Sequence, residues 1–214
     1  MSFEFILWDN DGVLVDTEHL YFQATRTIFQ SAGFQLTEPL FRHYFLKGGM
    51  GAWFLLEEKG IPREEIDKLR EERNDLYSRL LEVEDTLIPG VTGALSQMSG
   101  RFRMGIVTSS RKEHFSIIHR RTGILHLFEF ILTREDYIQS KPEPDPYLKG
   151  LKKTGLPCEK CLVVEDSERG LIAAKRAGLS CWMIPRGLSK GGDFSAADRV
   201  LDSIEEMAVL LLPS

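Results

Sequence analysis

The sequence has 214 residues, of which 43% are hydrophobic and 28% charged, and its formal net charge is −5 at pH 7. This length is enough for one domain with a buried core and an insertion, while the acidic balance argues against a nucleic-acid partner. No apolar run is long enough to span a bilayer, and the first residues lack the basic and apolar regions of a secretory signal, so we expect a cytoplasmic protein with no membrane partner and a monomer by default.

Five apolar runs have the length and composition of buried β-strands. They lie at residues 3–8, 102–107, 128–132, 161–164 and 181–184. Helical patterns alternate with the later runs, at residues 111–122, 144–154, 168–177 and 204–211. This alternation predicts an α/β core, in which a parallel sheet carries helices on both faces.

The segment between the first two strands differs from the rest because it contains helical patterns only. These patterns cover residues 16–32, 37–45, 52–59 and 63–83, and the last one is long and charged along one side. A charge run of this kind is typical of a solvent-facing helix. We predict an inserted all-α helical cap domain over residues 16–86, with residues 1–15 and 87–214 forming the core domain.

Two carboxylates follow the first strand directly. Asp9 and Asp11 flank Asn10, and Gly12 then permits a sharp turn. Ligands of open α/β sheets bind beyond the carboxyl ends of the strands, so this loop is a candidate site. Its spacing suits Mg²⁺, and it also allows one carboxylate to attack while the other moves a proton. A capped turn after a strand is the structural alternative.

The run from Asp9 to Thr17 resembles the first motif of the haloacid dehalogenase superfamily, Asp-x-Asp-Gly followed by an Asp-Thr or Asp-Ser pair. The three further motifs of that superfamily follow in order. They are a Thr at a strand end, a Lys in Lys-Pro-x-Pro-Asp and an acidic pair after an apolar strand, here Thr108, Lys141 and Glu165-Asp166. The resemblance implies a Rossmann-like core, and the helical insert is similar to the cap of the first subclass, in its β-phosphoglucomutase-like and phosphatase branch.

The resemblance also implies the catalytic and metal-binding roles. Asp9 would be the nucleophile, and Asp11 would be the general acid and base. Asp9, the backbone carbonyl of Asp11 and Asp166 would hold Mg²⁺, while Glu165 would orient water outside the ligand set. For the acidic pair alone, the first turn of a helix is the structural alternative.

Four positions are candidates for binding the phosphoryl group. Thr108 offers a hydroxyl, and the backbone N–H groups near Asn10 and Ser109 can face an anion, although helix capping is the commoner use of such a Thr. Lys141 precedes a proline, which favours an extended backbone that can hold the ammonium near the reacting group. Outside its motif, a lone lysine is more often a surface residue.

A glycine-rich loop at residues 46–51 lies within the insert. By resemblance this loop faces the substrate, so Lys47 and Gly48 are candidate contacts, and a solvent-facing Lys47 is an equally good interpretation. β-Phosphoglucomutase has an Arg at the place of Gly51 and a His at the place of Tyr21. Both differences favour a phosphatase over a mutase.

The expected function is Mg²⁺-dependent hydrolysis of a small phosphorylated metabolite, a sugar phosphate or similar, through an aspartyl-phosphate. A β-phosphoglucomutase-like sugar phosphomutase is the alternative. A haloacid dehalogenase is disfavoured because it needs neither the second acid nor the metal. A non-catalytic binding protein is disfavoured because every motif residue is present.

Three cysteines, an odd number, suit a reducing compartment better than a disulfide scaffold. Cys158 and Cys161 have the spacing of a zinc or redox pair. A structural zinc site needs four ligands, and Cys181 alone remains to join them. We therefore expect Cys161 to be a small buried residue of its strand.

Overall fold

A computed structural model describes residues 3–49 and 51–212 of the chain. Within them six parallel strands form one sheet: β1 (Phe5–Trp8), β2 (Arg103–Val107), β3 (Phe130–Leu132), β4 (Cys161–Glu165), β5 (Ser180–Met183) and β6 (Arg199–Val200). Their order across the sheet is β3-β2-β1-β4-β5-β6. The five predicted strands are confirmed. The edge strand β6 was missed, because two exposed residues show no pattern that marks a strand.

Helices alternate with these strands. Residues 16–86, called the first segment below, contain the helices α1 (Glu18–Ser31), α2 (Glu38–Phe41), α3 (Phe54–Glu57) and α4 (Arg63–Val83). A π-helical turn, Arg42–Lys47, continues α2. The helices of the core are α5 (Val91–Ser99), α6 (Lys112–His119), α7 (Asp145–Thr154), α8 (Glu168–Arg176) and α9 (Ile204–Leu211). Helix α5 was not predicted from the sequence. Its buried residues Val91, Ala94, Leu95 and Met98 nevertheless have helical spacing.

Strand β1 lies at the centre of the core and is buried along its whole length. Ile6 and Trp8 pack on one face of the sheet with α5, α6 and α9, while Phe5 and Leu7 pack on the other face with α7 and α8. Each such side chain stabilises the fold by roughly 1.5–3 kcal/mol relative to an exposed one. The predicted α/β core with helices on both faces is confirmed.

Helices α1 to α4 have a hydrophobic cluster of their own. It is built around Phe29 of α1, Phe41 of α2, Leu56 of α3 and Ile66 of α4. The backbone that enters this segment lies beside the backbone that leaves it, and the N–H of Asp16 donates to the carbonyl of Thr86 at 2.7 Å. The exact domain boundaries at residues 16 and 86 stay a prediction.

The cysteine thiols divide between the sheet and a loop. Cys161 in β4 and Cys181 in β5 are fully buried, and Cys158 is half-buried. Burial raises the pKa of the Cys181 thiol well above its usual value, which keeps that group neutral. The expectation of a buried structural Cys161 is confirmed.

The sheet order brings three of the sequence motifs to one edge. Strands β2, β1 and β4 are neighbours, and their carboxyl ends deliver Thr108, Asp9 and Glu165 respectively. Parallel strands place these ends side by side, which is where open α/β sheets bind ligands. Among the residues described, no helix combines the length and the apolar character needed to cross a membrane.

Candidate active site

Lys141 is the central cation of the site. Its Nζ lies 2.6 Å from Oδ1 of Asp9, 2.6 Å from Oε1 of Glu165 and 3.1 Å from the carbonyl oxygen of Val107. The side chain is 2% exposed. Burial alone would lower the pKa of Lys141, but the charges of Asp9 and Glu165 outweigh it and raise that pKa above its ordinary value. Lys141 is therefore a permanent positive charge between two buried carboxylates.

Glu165 has every acceptor site of its carboxylate occupied. The Tyr147 hydroxyl donates to Oε1 at 2.7 Å, and Oε2 accepts from the Ser167 hydroxyl at 3.0 Å and from the N–H groups of residues 166 and 167. Although burial raises the pKa of Glu165, Lys141 and these donors lower it below its usual value. The carboxylate packs so closely on α8 that a Cβ at Gly170 would lie 1.9 Å from its Cδ atom. Glu165 is thus an anion that orients Lys141.

Asp9 and Asp166 form an electrostatically unfavourable pair. With Glu165 they offer carboxylate oxygens that all lie within 4.8 Å of one another. Burial and then repulsion from Glu165 raise the pKa of Asp9 to about 7, despite the attraction of Lys141. Burial and then the charges of Glu18, Glu165 and Asp9 raise the pKa of Asp166 well above its usual value. Both carboxylates would be stabilised by additional positive charge.

The residues present fit a hard divalent cation. Asp9 and Asp166 supply oxygen donors in a buried position, which is the ligand type that Mg²⁺ prefers. Gly12 lets the first loop approach Asp166, because its φ is +83° and a Cβ there would lie 2.0 Å from Oδ2 of Asp166. Oδ2 of Asp166 also accepts a hydrogen bond from the Ser189 hydroxyl at 2.9 Å.

Asp11 accepts hydrogen bonds from four side chains. Oδ1 accepts from the Thr17 hydroxyl at 2.5 Å, and Oδ2 accepts from Ser110 at 2.7 Å, Thr108 at 3.1 Å and the Asn10 amide at 3.3 Å. The Thr108 oxygen in turn accepts from the N–H of Ser110 at 3.0 Å. The hydroxyl of Thr108, which we expected to face a phosphate, therefore donates to Asp11 here.

The side chain of Asn10 points into the protein. It is fully buried, and its Oδ1 lies 2.7 Å from Nε2 of His119 at the end of α6. Since an amide oxygen can only accept, Nε2 of His119 carries the proton, and Nδ1 is left to accept from the Thr122 hydroxyl at 2.9 Å. The backbone of Asn10, and not its side chain, is therefore the part that remains to bind a phosphate.

Burial of His119 makes the stability of the protein depend on pH. It lowers the pKa of His119 from 6.5 to about 4. The unfolded chain therefore binds a proton between these values while the folded chain does not, so stability falls as pH drops through this window. Relative to His119→Gln, the wild type should lose about 2 kcal/mol of unfolding free energy between pH 7 and pH 4.5.

Urea unfolding of both proteins across this pH range measures the difference. The comparison cancels the carboxyl groups that titrate in the same range, because they are common to both proteins. The exposed His126 provides the matched control, and His126→Gln should keep the wild-type pH profile. Parallel profiles for wild type and His119→Gln would contradict a neutral, buried His119.

A cavity of about 420 Å³ opens in front of Asp9, between the sheet edge and the helices of the first segment. Five predicted site residues line it, namely Asp9, Asp11, Ser109, Lys141 and Asp166. Three others, Asn10, Thr108 and Glu165, are buried behind that lining. The structure does not bring Lys47 or Gly48 to the cavity wall: Lys47 pairs with Glu168 at 3.2 Å and lines a neighbouring groove.

The comparisons with known proteins agree with this geometry. The family model of the haloacid dehalogenase-like hydrolases matches residues 6–184. The chain belongs to this family. YhcW of Bacillus subtilis is 32% identical over 97% of the chain and 94% of its own length. The phosphorylated carbohydrates phosphatase of Thermotoga maritima is 32% identical over 82% of each chain.

The solved structures extend the likeness to the whole fold. CbbY from Rhodobacter sphaeroides, crystallised in complex with phosphate, superposes with a TM-score of 0.80 at 24% identity, covering 96% of each chain. The family predicted from the four motifs is confirmed, and so is the prediction that the protein is a hydrolase.

Several residues that the motifs of this family did not reveal also line the cavity. The helical segment contributes Glu18 and Tyr21 from α1 and Arg73 and Tyr77 from α4, and the core contributes His114 from α6. Burial raises the pKa of Glu18 to about 7, although Arg169 opposes the shift. Glu18 and Tyr21 are three residues apart, and Arg73 and Tyr77 are four apart, so each pair lies on one face of its helix. This spacing was the signal that the sequence offered. No sequence pattern indicated that the two helices face Asp9.

Proposed function

We propose that this hydrolase is a Mg²⁺-dependent phosphatase of a small phosphate monoester, such as a sugar phosphate. The observation that carries the proposal is the Asp9 carboxylate, which lines the cavity, 2.6 Å from the Lys141 ammonium and next to Asp166. A carboxylate nucleophile beside a fixed cation suits attack on phosphorus, because negative charge develops where positive charge already lies. The Thermotoga relative, named as a phosphatase of phosphorylated carbohydrates, supports the same substrate class.

Asp9 and Asp11 would share the chemistry. One oxygen of Asp9 attacks the phosphorus, the bond from phosphorus to the ester oxygen breaks, and an aspartyl-phosphate forms. Asp11 gives a proton to the leaving alcohol and later takes one from the water that splits the aspartyl-phosphate. The hydrogen bonds that Thr17, Thr108 and Ser110 donate to Asp11 would hold its carboxylate in position for both transfers.

Fixed donors would bind the phosphoryl oxygens. Lys141 supplies the positive charge, and the backbone N–H groups near Asn10 and Ser109 supply neutral donors at the strand ends. Thr108 would act through Asp11, because its hydroxyl already donates to that carboxylate. Glu165 would keep the Lys141 ammonium against Asp9.

The metal would lie between the two loops that carry aspartates. Asp9, Asp166 and the backbone carbonyl of Asp11 would hold Mg²⁺, with Glu165 outside the ligand set. When bound, the ion neutralises charge on the phosphoryl group and on the crowded carboxylates. Its affinity should therefore depend on both aspartates.

We propose that residues 16–86 form a cap domain over a core of residues 1–15 and 87–214, and that the loop with Lys47 and Gly48 faces the substrate when the cap closes. As the sequence predicts, the enzyme would be a cytoplasmic monomer with no nucleic-acid partner.

Phosphate release from a panel of phosphate monoesters tests the proposal. We expect turnover with Mg²⁺, a loss on the order of 100-fold or more with chelator, and recovery when Mg²⁺ is restored. Asp166→Asn should abolish the response to Mg²⁺. Asp202→Asn, which changes an exposed carboxylate, should respond as the wild type does.

Two results would contradict the proposal. Turnover that is equal with and without chelator would exclude the metal dependence. Transfer of the phosphoryl group to a second hydroxyl of a sugar 1-phosphate, without release of phosphate, would establish the phosphomutase instead.

A further inference from the structure

Arg73 is a buried cation whose hydrogen-bond partners are all neutral in the part of the chain that the structure describes. It is 8% exposed, and its guanidinium donates to Oδ1 of Asn74 at 3.0 Å, the hydroxyl of Tyr21 at 2.5 Å and that of Thr25 at 3.5 Å. The guanidinium also lies 4.5 Å from the centre of the Tyr21 ring. Arginine is almost never this buried without an anionic partner, because a buried charge that lacks one costs free energy.

Two other arginines of the same cavity have carboxylate partners. Arg70, one turn earlier on α4, pairs with Asp67 at 3.2 Å, and Arg111 on the core side pairs with Glu71 at 3.6 Å. The side chains of both arginines are more than two-fifths exposed, so water also compensates their charge. Arg73 has neither form of compensation.

His114 is a second uncompensated group on the opposite wall. It lies on α6, is 3% exposed, and its Nε2 is buried without a hydrogen-bond partner among the residues described. Burial lowers the pKa of His114, and the charges of Arg73 and Arg111 lower it further against the opposing effect of Glu113. The ring is therefore neutral, and its buried nitrogen can donate to an anion without adding a charge.

We propose that the substrate carries a second anionic group, a phosphate or a carboxylate, and that Arg73 and His114 bind it. The inference rests on the proposed phosphatase function and names its substrate class. Arg73 and His114 line the same cavity as Asp9 and Lys141, so one small molecule in about 420 Å³ can contact both ends. The planar guanidinium matches two oxygens of a carboxylate or phosphate, which is the partner that Arg73 lacks.

Pairs of substrates that differ only in the second anion test this inference. Suitable pairs are 2-phosphoglycolate with 2-hydroxyethyl phosphate, 3-phosphoglycerate with glycerol phosphate, and fructose 1,6-bisphosphate with fructose 1-phosphate. In at least one pair we expect the wild-type kcat/KM to be about 10-fold or more higher for the substrate with the second anion. The first two pairs report a carboxylate and the third reports a phosphate, so the result also identifies the group.

Variants then locate the source of the preference. Arg73→Gln should lower kcat/KM for the substrate with the second anion by about 10- to 100-fold, mainly through KM, and change kcat/KM for the analogue without it less than about 3-fold. His114→Leu should act in the same direction with a smaller effect. Arg79→Gln, an exposed arginine of the same helix, is the matched control and should keep the wild-type preference.

The outcomes separate the inference from the function on which it rests. Hydrolysis of the analogues that lack the second anion, with no preference in any pair, would overturn the inference and leave the phosphatase intact. Equal losses on both members of a pair, in Arg73→Gln and in His114→Leu, would assign these residues a structural role and overturn it too. If Arg73→Gln does not fold, the substrate preference of His114→Leu within each pair tests the inference instead. Silence on every ester by the wild type would overturn both proposals.

Discussion

Replacing Asp9 by asparagine should lower kcat for the best phosphate monoester on the order of 10⁴-fold or more. The amide is a poor nucleophile, and without the Asp9 carboxylate no aspartyl-phosphate can form. The loss is therefore that of the covalent route itself. The variant should also fail to accumulate protein carrying one phosphoryl group, which mass spectrometry of a rapidly quenched reaction measures in the wild type.

The same substitution should leave the fold intact, because the site contains excess negative charge. Burial and repulsion from Glu165 raise the pKa of Asp9 to about 7, so its charge is unfavourable in the protein without metal. In Asp9→Asn, Lys141 keeps its ion pair with Glu165 at 2.6 Å. We therefore expect a midpoint of thermal unfolding equal to or above that of the wild type.

An exposed carboxylate outside the motifs provides the control. Asp202 is exposed, and Asp202→Asn should keep wild-type turnover. If Asp9→Asn retained turnover while folded, another group would have to attack the phosphorus, and the proposed role of Asp9 would be wrong.

The part of the site that the sequence predicts is the part attached to strand ends. Asp9, Thr108 and Glu165 follow or end apolar runs, and the topology of a parallel sheet then places those ends together. This reasoning needs no knowledge of side-chain packing. It therefore predicted the sheet and supports three of the four motifs. Lys141 does not follow a strand and was identified through the family resemblance. Neither route could predict which hydroxyl donates to which carboxylate. The Thr108 hydroxyl donates to Asp11 because the first loop turns its carboxylate towards β2.

The opposite wall of the cavity could not be predicted in this way. Arg73 and His114 are far apart in sequence, and they share a cavity because α4 packs against both α1 and α6. Helical periodicity shows which face of α4 is apolar, but it does not show which partner that face meets. A buried arginine within a charged helix such as 63–83 also looks like one more solvent-facing charge. Its uncompensated burial is a property of the three-dimensional packing alone.

Replacing Lys141 by methionine should destabilise the protein and inactivate it at the same time. Lys141 is the cation that contacts both Asp9 and Glu165, each at 2.6 Å, and its side chain is 2% exposed. Removing one partner of a buried ion pair leaves an uncompensated charge, which typically costs about 3–5 kcal/mol of unfolding free energy. Urea unfolding at pH 8 measures this loss, and the phosphate-release assay measures the accompanying loss of turnover.

A second substitution separates the two consequences. Glu165→Gln in the Lys141→Met background removes one of the two carboxylates left without a cation, so it should restore part of the stability while turnover stays lost. Lys160→Met, which breaks an exposed pair with Glu4 at 2.8 Å, should change the unfolding midpoint little. A Lys141→Met variant as stable as the wild type would contradict the argument, because Asp9 and Glu165 would then need no cation between them. If the double variant recovers stability without activity, Lys141 serves the reaction as well as the fold, and its positive charge against Asp9 is the part that catalysis needs.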